Sequence, residues 1–305
     1  MYADRAARSL RAPPASLNQH QFAKGAGYRL FQGDSLALLE HFEDATFDLV
    51  FADPPYFLSN GGFTCQGGKR APVGKGAWDQ SRGIEEDHQF TMDWLEACRR
   101  VLRPSGTLWV SGTQHVIFSV GFAMQRLGFR LLNTVTWYKP NASPNLSCRF
   151  FTHSTELLIW AAPGERPGAA GSAGSGRKKK GKLLHTFNYP QMKAENGGKQ
   201  MRDVWNLPRA GEEELTADGA GRVWTQITPR KGEKSEGRHP TQKPLALLER
   251  VIAASTHEDA LVLDPFNGSG TTGVAALKTG RRYVGIDVDP EYLALSDRRL
   301  KSVAR

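Results

Sequence analysis

The stretch Leu261-Val-Leu-Asp-Pro-Phe-Asn-Gly-Ser-Gly-Thr-Thr-Gly273 limits what this chain can fold into more than any other. An apolar strand runs into a glycine turn, and the turn opens a helix. Gly268, Gly270 and Gly273 satisfy the spacing GxGxxG, and Asp287 ends the next strand, where an acid can accept ribose hydroxyls. The spacing alone leaves a dinucleotide as a rival ligand. Two features oppose it. Asp264-Pro265-Phe266 sets a carboxylate beside the glycines, where a pyrophosphate would be repelled. Few residues follow Leu300, so the other strands of the sheet must come from earlier in the chain, which makes the order circularly permuted. A ligand with a sulfonium and an ammonium but no phosphate fits: S-adenosylmethionine.

Apolar periodicity supplies the missing elements. Strands are predicted over 28–32, 47–52, 107–111, 130–138, 156–161, 260–264 and 282–287. Helices are predicted over 35–41, 85–102, 115–127, 244–256, 272–279 and 290–300. The second of these puts Phe90, Trp94, Leu95, Cys98, Val101 and Leu102 on one face. Alternating strands and helices argue an α/β fold with a mainly parallel, doubly wound sheet. The Gly-rich stretch 59–76 is too polar for regular structure, and Pro104-Ser105-Gly106 is expected to turn the chain. Residues 163–182 are rich in Gly, Ala and Ser and read as a linker. Residues 1–27 read as a flexible arm. Their Arg5, Arg8 and Arg11 accompany no apolar run, so the arm is not a secretory signal.

A second motif is Phe47-Asp-Leu-Val-Phe-Ala-Asp53-Pro54-Pro55-Tyr56. An apolar strand delivers a carboxylate, two prolines and a ring at its C-terminal edge, where ligands bind in open α/β sheets. The prolines stiffen the turn and leave the Pro54 carbonyl available. The chemistry that fits is methylation of an aromatic exocyclic amine, a poor nucleophile with two hydrogens to donate. Asp53 and the Pro54 carbonyl can accept them, aim the lone pair, and stabilise the positive charge growing on nitrogen. Tyr56 offers a stacking face for a base taken out of its helix. Carbon methylation needs a thiol nucleophile, commonly after proline, and none of Cys65, Cys98 and Cys148 follows one. Those cysteines are far apart, form no metal-binding pattern, and read as reduced thiols of a cytoplasmic protein. No apolar run is long enough to cross a bilayer. A net charge of +9 in 305 residues suits a polyanionic partner.

With these two motifs the chain resembles the β-class DNA amino-methyltransferases. The segments 51–62 and 137–156 look most like the DpnA-type adenine methyltransferases of GATC modification systems. Gly237-Arg-His-Pro-Thr-Gln-Lys-Pro244 looks like the motif that precedes the family's glycine loop. The resemblance implies a Rossmann-like S-adenosylmethionine-dependent methyltransferase fold. Its sheet is seven-stranded, with one antiparallel strand, and a small recognition lobe is attached. In that scheme 28–162 is the catalytic half, 163–237 the linker and target-recognition lobe, and 238–305 the cofactor half completing the same domain.

By the same resemblance, Asp264, Pro265, Phe266, Asn267, Gly268, Ser269, Gly270, Thr271 and Thr272 wall the methyl donor, and Asp287 holds its ribose. His239, Thr241, Gln242 and Lys243 close the methionine end, where Lys243 meets the carboxylate. Asp34 lies near the donor's adenine, unless it is only a helix cap. Trp78 and Asp79 match a pair placed near DNA. Arg177, Lys178, Lys179, Lys180 and the region 222–238 are candidates for phosphate contacts, with a solvated loop as the alternative. Trp205 and Trp224 either pack the lobe or touch DNA. The implied partner is DNA, as a duplex with a flipped base or as a single strand, and a homodimer is in keeping with the family. Neither metal nor membrane is implied. Three rivals stay open: an N4-cytosine methyltransferase, which Asp rather than Ser at position 53 disfavours; an RNA or protein methyltransferase; and a DNA-binding module without catalysis.

Overall fold

A computed structural model describes residues 15–59, 63–66, 69–72, 79–139, 142, 144–164, 184–206, 214–215, 222–223 and 242–304. Along the chain run a 3-10 helix Ala15–His20, β1 Gln21–Gly25, β2 Tyr28–Gln32, α1 Ser35–Leu39, β3 Phe47–Ala52, β4 Phe63–Gln66 and β5 Lys69–Pro72. Next come α2 Ile84–Val101, β6 Leu102–Gly112, α3 Ile117–Arg126, β7 Phe129–Tyr138, β8 Thr155–Pro163, α4 Tyr189–Glu195 and β9 Val204–Asn206. The last are β10 Glu214–Leu215, β11 Arg222–Val223, α5 Leu245–Ser255, β12 Leu261–Asp264, α6 Thr271–Lys278, β13 Arg282–Asp287 and α7 Pro290–Val303.

The main sheet has the order β1-β2-β13-β12-β3-β6-β8-β7-β9. Strands β2, β13, β12, β3 and β6 are parallel, and β8 runs antiparallel to both of its neighbours. This is the permuted order: late strands β12 and β13 fill the gap between early strands β2 and β3. Alternate residues of each strand face opposite ways. On β3, Phe47, Val50 and Ala52 pack with Leu38, Trp94, Leu95, Val101 and Val120 of α1, α2 and α3. Leu49 and Phe51 pack on the other face, with Leu247, Val251, Ala275 and Leu293 of α5, α6 and α7. The result is a sheet between two helical layers, each with its own apolar core.

Four expectations are corrected. Among the described residues the sheet has nine strands, not seven, because short strands β1 and β9 line its edges, and β1 is a second antiparallel strand. The arm is ordered from Ala15 on: Leu17 is buried in the core, and a two-residue turn with Gly27 at φ 78° folds β1 back on β2. The stretch 59–76 contains the hairpin β4–β5, in which Gln66 pairs with Lys69. Pro104-Ser105-Gly106 is not a turn ahead of a strand at 107, because β6 already begins at Leu102. It bulges within β6, whose pairing to β3 jumps from Phe47↔Leu102 to Leu49↔Thr107. Within the expected lobe, α4 docks on the domain through buried Met192, beside Ala253 and Ala254 of α5. Asn188 donates to the carbonyls of Ala253 and Thr256 at 2.6 and 2.7 Å.

Candidate active site

Strands β3 and β12 are neighbours, with Val262 opposite Leu49 and Leu263 opposite Val50. Their C-terminal ends therefore carry Asp53 and Asp264 side by side, at the edge where the strand order reverses. One cleft of about 270 Å³ is lined by both motifs: Asp53 and Pro55 on one side, Asp264 to Ser269 with Thr271, Thr272 and Asp287 on the other.

Asp53 is the hub of a buried polar cluster. Its Oδ1 accepts from the Ser111 hydroxyl at 2.6 Å and the Tyr56 hydroxyl at 2.7 Å. Its Oδ2 accepts from Lys243 Nζ at 2.5 Å. Burial pushes the Asp53 carboxyl up, but the Lys243 charge and the bonds from Lys243, Ser111 and Tyr56 outweigh it and hold the group below the usual carboxylate range. Lys243 moves the opposite way. Burial lowers its pKa, and the charges of Asp53 and Glu156 more than restore it. Glu156, at the start of β8, lies 3.8 Å from Lys243 and 2.6 Å from Lys139. Tyr56 is buried, its hydroxyl pushed well above its ordinary pKa by burial and by Asp53, so it remains a donor.

The turn that presents Asp53 is gripped from behind. Asp79, completely buried, accepts from the backbone N–H of Tyr56 at 2.9 Å, from the Ser59 hydroxyl at 2.8 Å and from the N–H of Leu58 at 3.3 Å. Between them Phe57 holds a left-handed φ of 55°, a conformation that needs such support. Asp79 is thus a brace for the catalytic turn, and its burial removes it from the DNA contacts expected of it.

The glycine loop is built as its spacing predicts. Gly270 caps α6 at φ 71°, where a Cβ would run into Ser296. Asp287 Oδ2 accepts from Gly268 N at 2.7 Å and its Oδ1 from Asp289 N at 3.0 Å. Burial raises the Asp287 pKa, and those backbone bonds oppose the shift. Burial likewise pushes Asp264 up to about 7, against bonds from the Thr272 hydroxyl at 2.6 Å and the Phe266 N–H at 3.0 Å. Asn267 lines the cleft, but its amide is committed to Tyr283 at 2.8 Å, Ser296 at 3.3 Å and the Gly268 carbonyl at 2.9 Å. Ser269 and Thr271 are anchored by Arg299.

Asp34 caps α1 by accepting from Ala37 N at 3.0 Å, and it also lines the cleft. Gln242 lines the cleft as well. Lys243 is there too, but on Asp53 rather than waiting for a carboxylate. The Lys243 ammonium sits at the hydroxyl end of Tyr56, 3.2 Å from its oxygen and 5.4 Å from the ring centroid. Trp205 is core, not a DNA contact: its indole donates to the Arg202 carbonyl at 2.9 Å and it packs 5.7 Å from Trp109. Trp78, Arg177, Lys178, Lys179, Lys180, Trp224, Arg238, His239 and Thr241 lie outside the described residues. Sequence reasoning missed Ser111, Glu156 and Lys139, and also Phe90, Trp94 and Tyr292, which give the cleft an aromatic wall. Cys98 is buried under Asp264, and burial and that charge push its thiol far up, which leaves it unreactive.

An acidic cleft with aromatic walls at a permuted strand-order switch defines a Rossmann-like, S-adenosylmethionine-dependent methyltransferase. The fold matches the M1.HpyAVI–S-adenosylmethionine complex with a TM-score of 0.56 at 20% identity, over 90% of this chain and 98% of that one. The DNA methylase family model, which covers N6 and N4 methyltransferases, matches residues 47–298, and the chain belongs to that family. It is 46% identical to the Type II methyltransferase M2.LlaDCHI of Lactococcus lactis subsp. cremoris, over 90% of both chains. It is 45% identical to the Type II methyltransferase M2.DpnII of Streptococcus pneumoniae, over 90% of this chain and 89% of that one.

Proposed function

We propose that the protein methylates the exocyclic N6 of adenine at a specific site in DNA, as the modification enzyme of a Type II restriction-modification system. The observation that carries the reading is the opening of Asp53 into the same cleft as the glycine loop and Asp287. S-adenosylmethionine, when bound, supplies an electrophilic methyl group. The residues fit it: Asp264 offers a carboxylate beside the loop to a ligand with two positive centres, and Asp287 offers one to its ribose hydroxyls. Asp53 accepts one amine hydrogen and the Pro54 carbonyl the other, which aims the lone pair. The Asp53 charge then stabilises the cationic nitrogen. Ser111, Tyr56 and Lys243 fix the carboxylate before the amine arrives, so little reorganisation remains for the reaction itself.

A carboxylate at position 53 favours adenine over cytosine N4. Resemblance to the DpnA type favours GATC, and the segment 163–237 is the source of target recognition in this reading, with 28–162 and 238–305 forming the catalytic and cofactor halves. The base is flipped from a duplex or taken from a single strand. In this reading Tyr56 offers it a stacking face. A homodimer in the cytoplasm completes the proposal. Sequencing methylated bases in DNA from cells that express the protein reports base and context together. N4-methylcytosine in place of N6-methyladenine, or neither, would refute it.

The acidity of Asp264 yields a pH prediction. With a pKa of about 7, it is near half ionised at neutrality. A cationic donor favours the ionised form, so binding should release protons, and affinity should rise roughly tenfold from pH 6 to pH 8. Calorimetric titration in buffers of different ionisation enthalpy reads the proton release, and a flat profile would contradict this role for Asp264.

A further inference from the structure

The segment between β7 and β8 leaves the sheet at the same edge as Asp53, because β7 is aligned with β3 and β6. Its neck belongs to the active site. Lys139 N donates to the Ser154 carbonyl at 2.7 Å, and the Lys139 side chain pairs with Glu156, the acid next to Lys243. On the descending arm, His153 lies 3.4 Å from Gln114, three residues beyond Ser111. The tip is shaped from within. Asn145 Oδ1 accepts from the N–H and hydroxyl of Ser147 at 3.0 and 2.7 Å, and its Nδ2 donates to the Phe150 carbonyl at 2.6 Å. Cys148 turns the chain at φ 53°. This ordered tip carries Phe150 at 60% exposure, Phe151 at 95% and Leu146 at 39%, with exposed Arg149 among them.

Phe150 packs on His153, with ring centroids 5.4 Å apart, whereas Phe151 is almost wholly in water and adds nothing to the described core. The tip stands at the one edge where a duplex must lie for a base to reach Asp53. A base taken out of a duplex leaves a gap whose unstacking must be compensated, and flat apolar side chains inserted between base steps are a common means. We propose that Phe151 enters the DNA stack at the position vacated by the target base, flanked by Phe150 and Leu146, with Arg149 placed for the adjoining phosphate. The proposal rests on the reading that the substrate is a base in DNA, and adds which residue holds the duplex open. Duplex DNA is the occupant because the tip pairs an intercalating ring with a cation and continues the acceptor site.

The test compares one oligonucleotide sequence, carrying the site found by methylation sequencing, as a paired duplex and as a single strand. Tritiated donor reports transfer. For Phe151→Ala, kcat/KM on the duplex should fall roughly ten- to hundredfold, the range expected when a stacking ring is removed. On the single strand, where no gap opens, it should stay within about threefold of wild type. Phe151→Trp should restore the duplex rate. With 2-aminopurine at the target position, wild type should brighten the duplex probe on binding and Phe151→Ala should not, a readout independent of methyl transfer. Equal losses on both substrates, or no loss on either, would overturn the proposal. Wild-type protein inactive on every DNA would instead overturn the substrate reading, and this proposal with it.

Discussion

Asp53→Ala is expected to abolish methyl transfer, by a factor of about a thousand or more, while S-adenosylmethionine still binds. Removing one preorganised charge-stabilising group commonly costs 10²–10³ in kcat, and here the same group also positions the amine. In the proposed reading the donor rests on Asp264, Asp287 and the glycine loop, which the substitution leaves in place. A structural side effect is also expected. Lys243 loses its 2.5 Å partner but keeps Glu156 at 3.8 Å, so the variant should also lose some stability. Asp53→Asn keeps the shape and serves as the control. Single-turnover transfer and calorimetric donor binding, measured on both variants, separate the two effects. Loss of donor binding in Asp53→Asn would disprove the assignment.

Lys243→Met should move the acid limb of the pH–rate profile upward by a unit or more, with donor affinity changed only a few-fold. The sign follows from the cluster. Asp53 faces Lys243, Tyr56 and Ser111 directly, Glu156 beyond Lys243, and Asp264 across the cleft. Among the charged groups facing Asp53 in this set, Lys243 is the cation. Without it, burial governs and the carboxyl rises, so acidic conditions silence the enzyme sooner. In wild type, the depressed Asp53 pKa contributes stability above about pH 4 that fades as pH falls further; in the variant the raised carboxyl reverses that slope. Lys243→Arg should keep the limb in place. The role implied by resemblance, meeting the donor's carboxylate, predicts the reverse: weakened donor binding with an unmoved acid limb.

Local patterns carried most of the architecture. The apolar runs at 28–32, 47–52 and 282–287 coincide with β2, β3 and β13, and the glycine spacing located the α6 turn. What escaped was decided by partners. β1 is a strand because β2 offers an edge, and the signal, Ala26-Gly27, is two residues long. The β4–β5 hairpin was signalled by Gly67-Gly68 between Gln66 and Lys69, but glycine abundance around it suggested irregular chain. The stretch through Pro104 bulges within a strand instead of turning because β3 lies alongside. In the site, residue types with a chemistry of their own stood out, whereas Lys243 meets Asp53 across 190 positions. Ser111 and Asp79 act only through the carboxylate and the turn they hold, which periodicity does not encode.

The adjacency of β3 and β12 has a consequence for how the enzyme comes into being. Asp48 on β3 accepts from the Leu261 amide at 2.8 Å across 213 positions of chain. Bringing such distant partners together is entropically slow, and everything in between must be synthesised first. A nascent chain on the ribosome therefore holds the acceptor turn long before any donor pocket exists, and the modification activity must wait until β12 and β13 have been made. Pulse-labelled hydrogen exchange during refolding should find the Leu49 and Val262 amides protected together and late. Early protection of Leu49 alone would argue that the first half closes on itself without waiting.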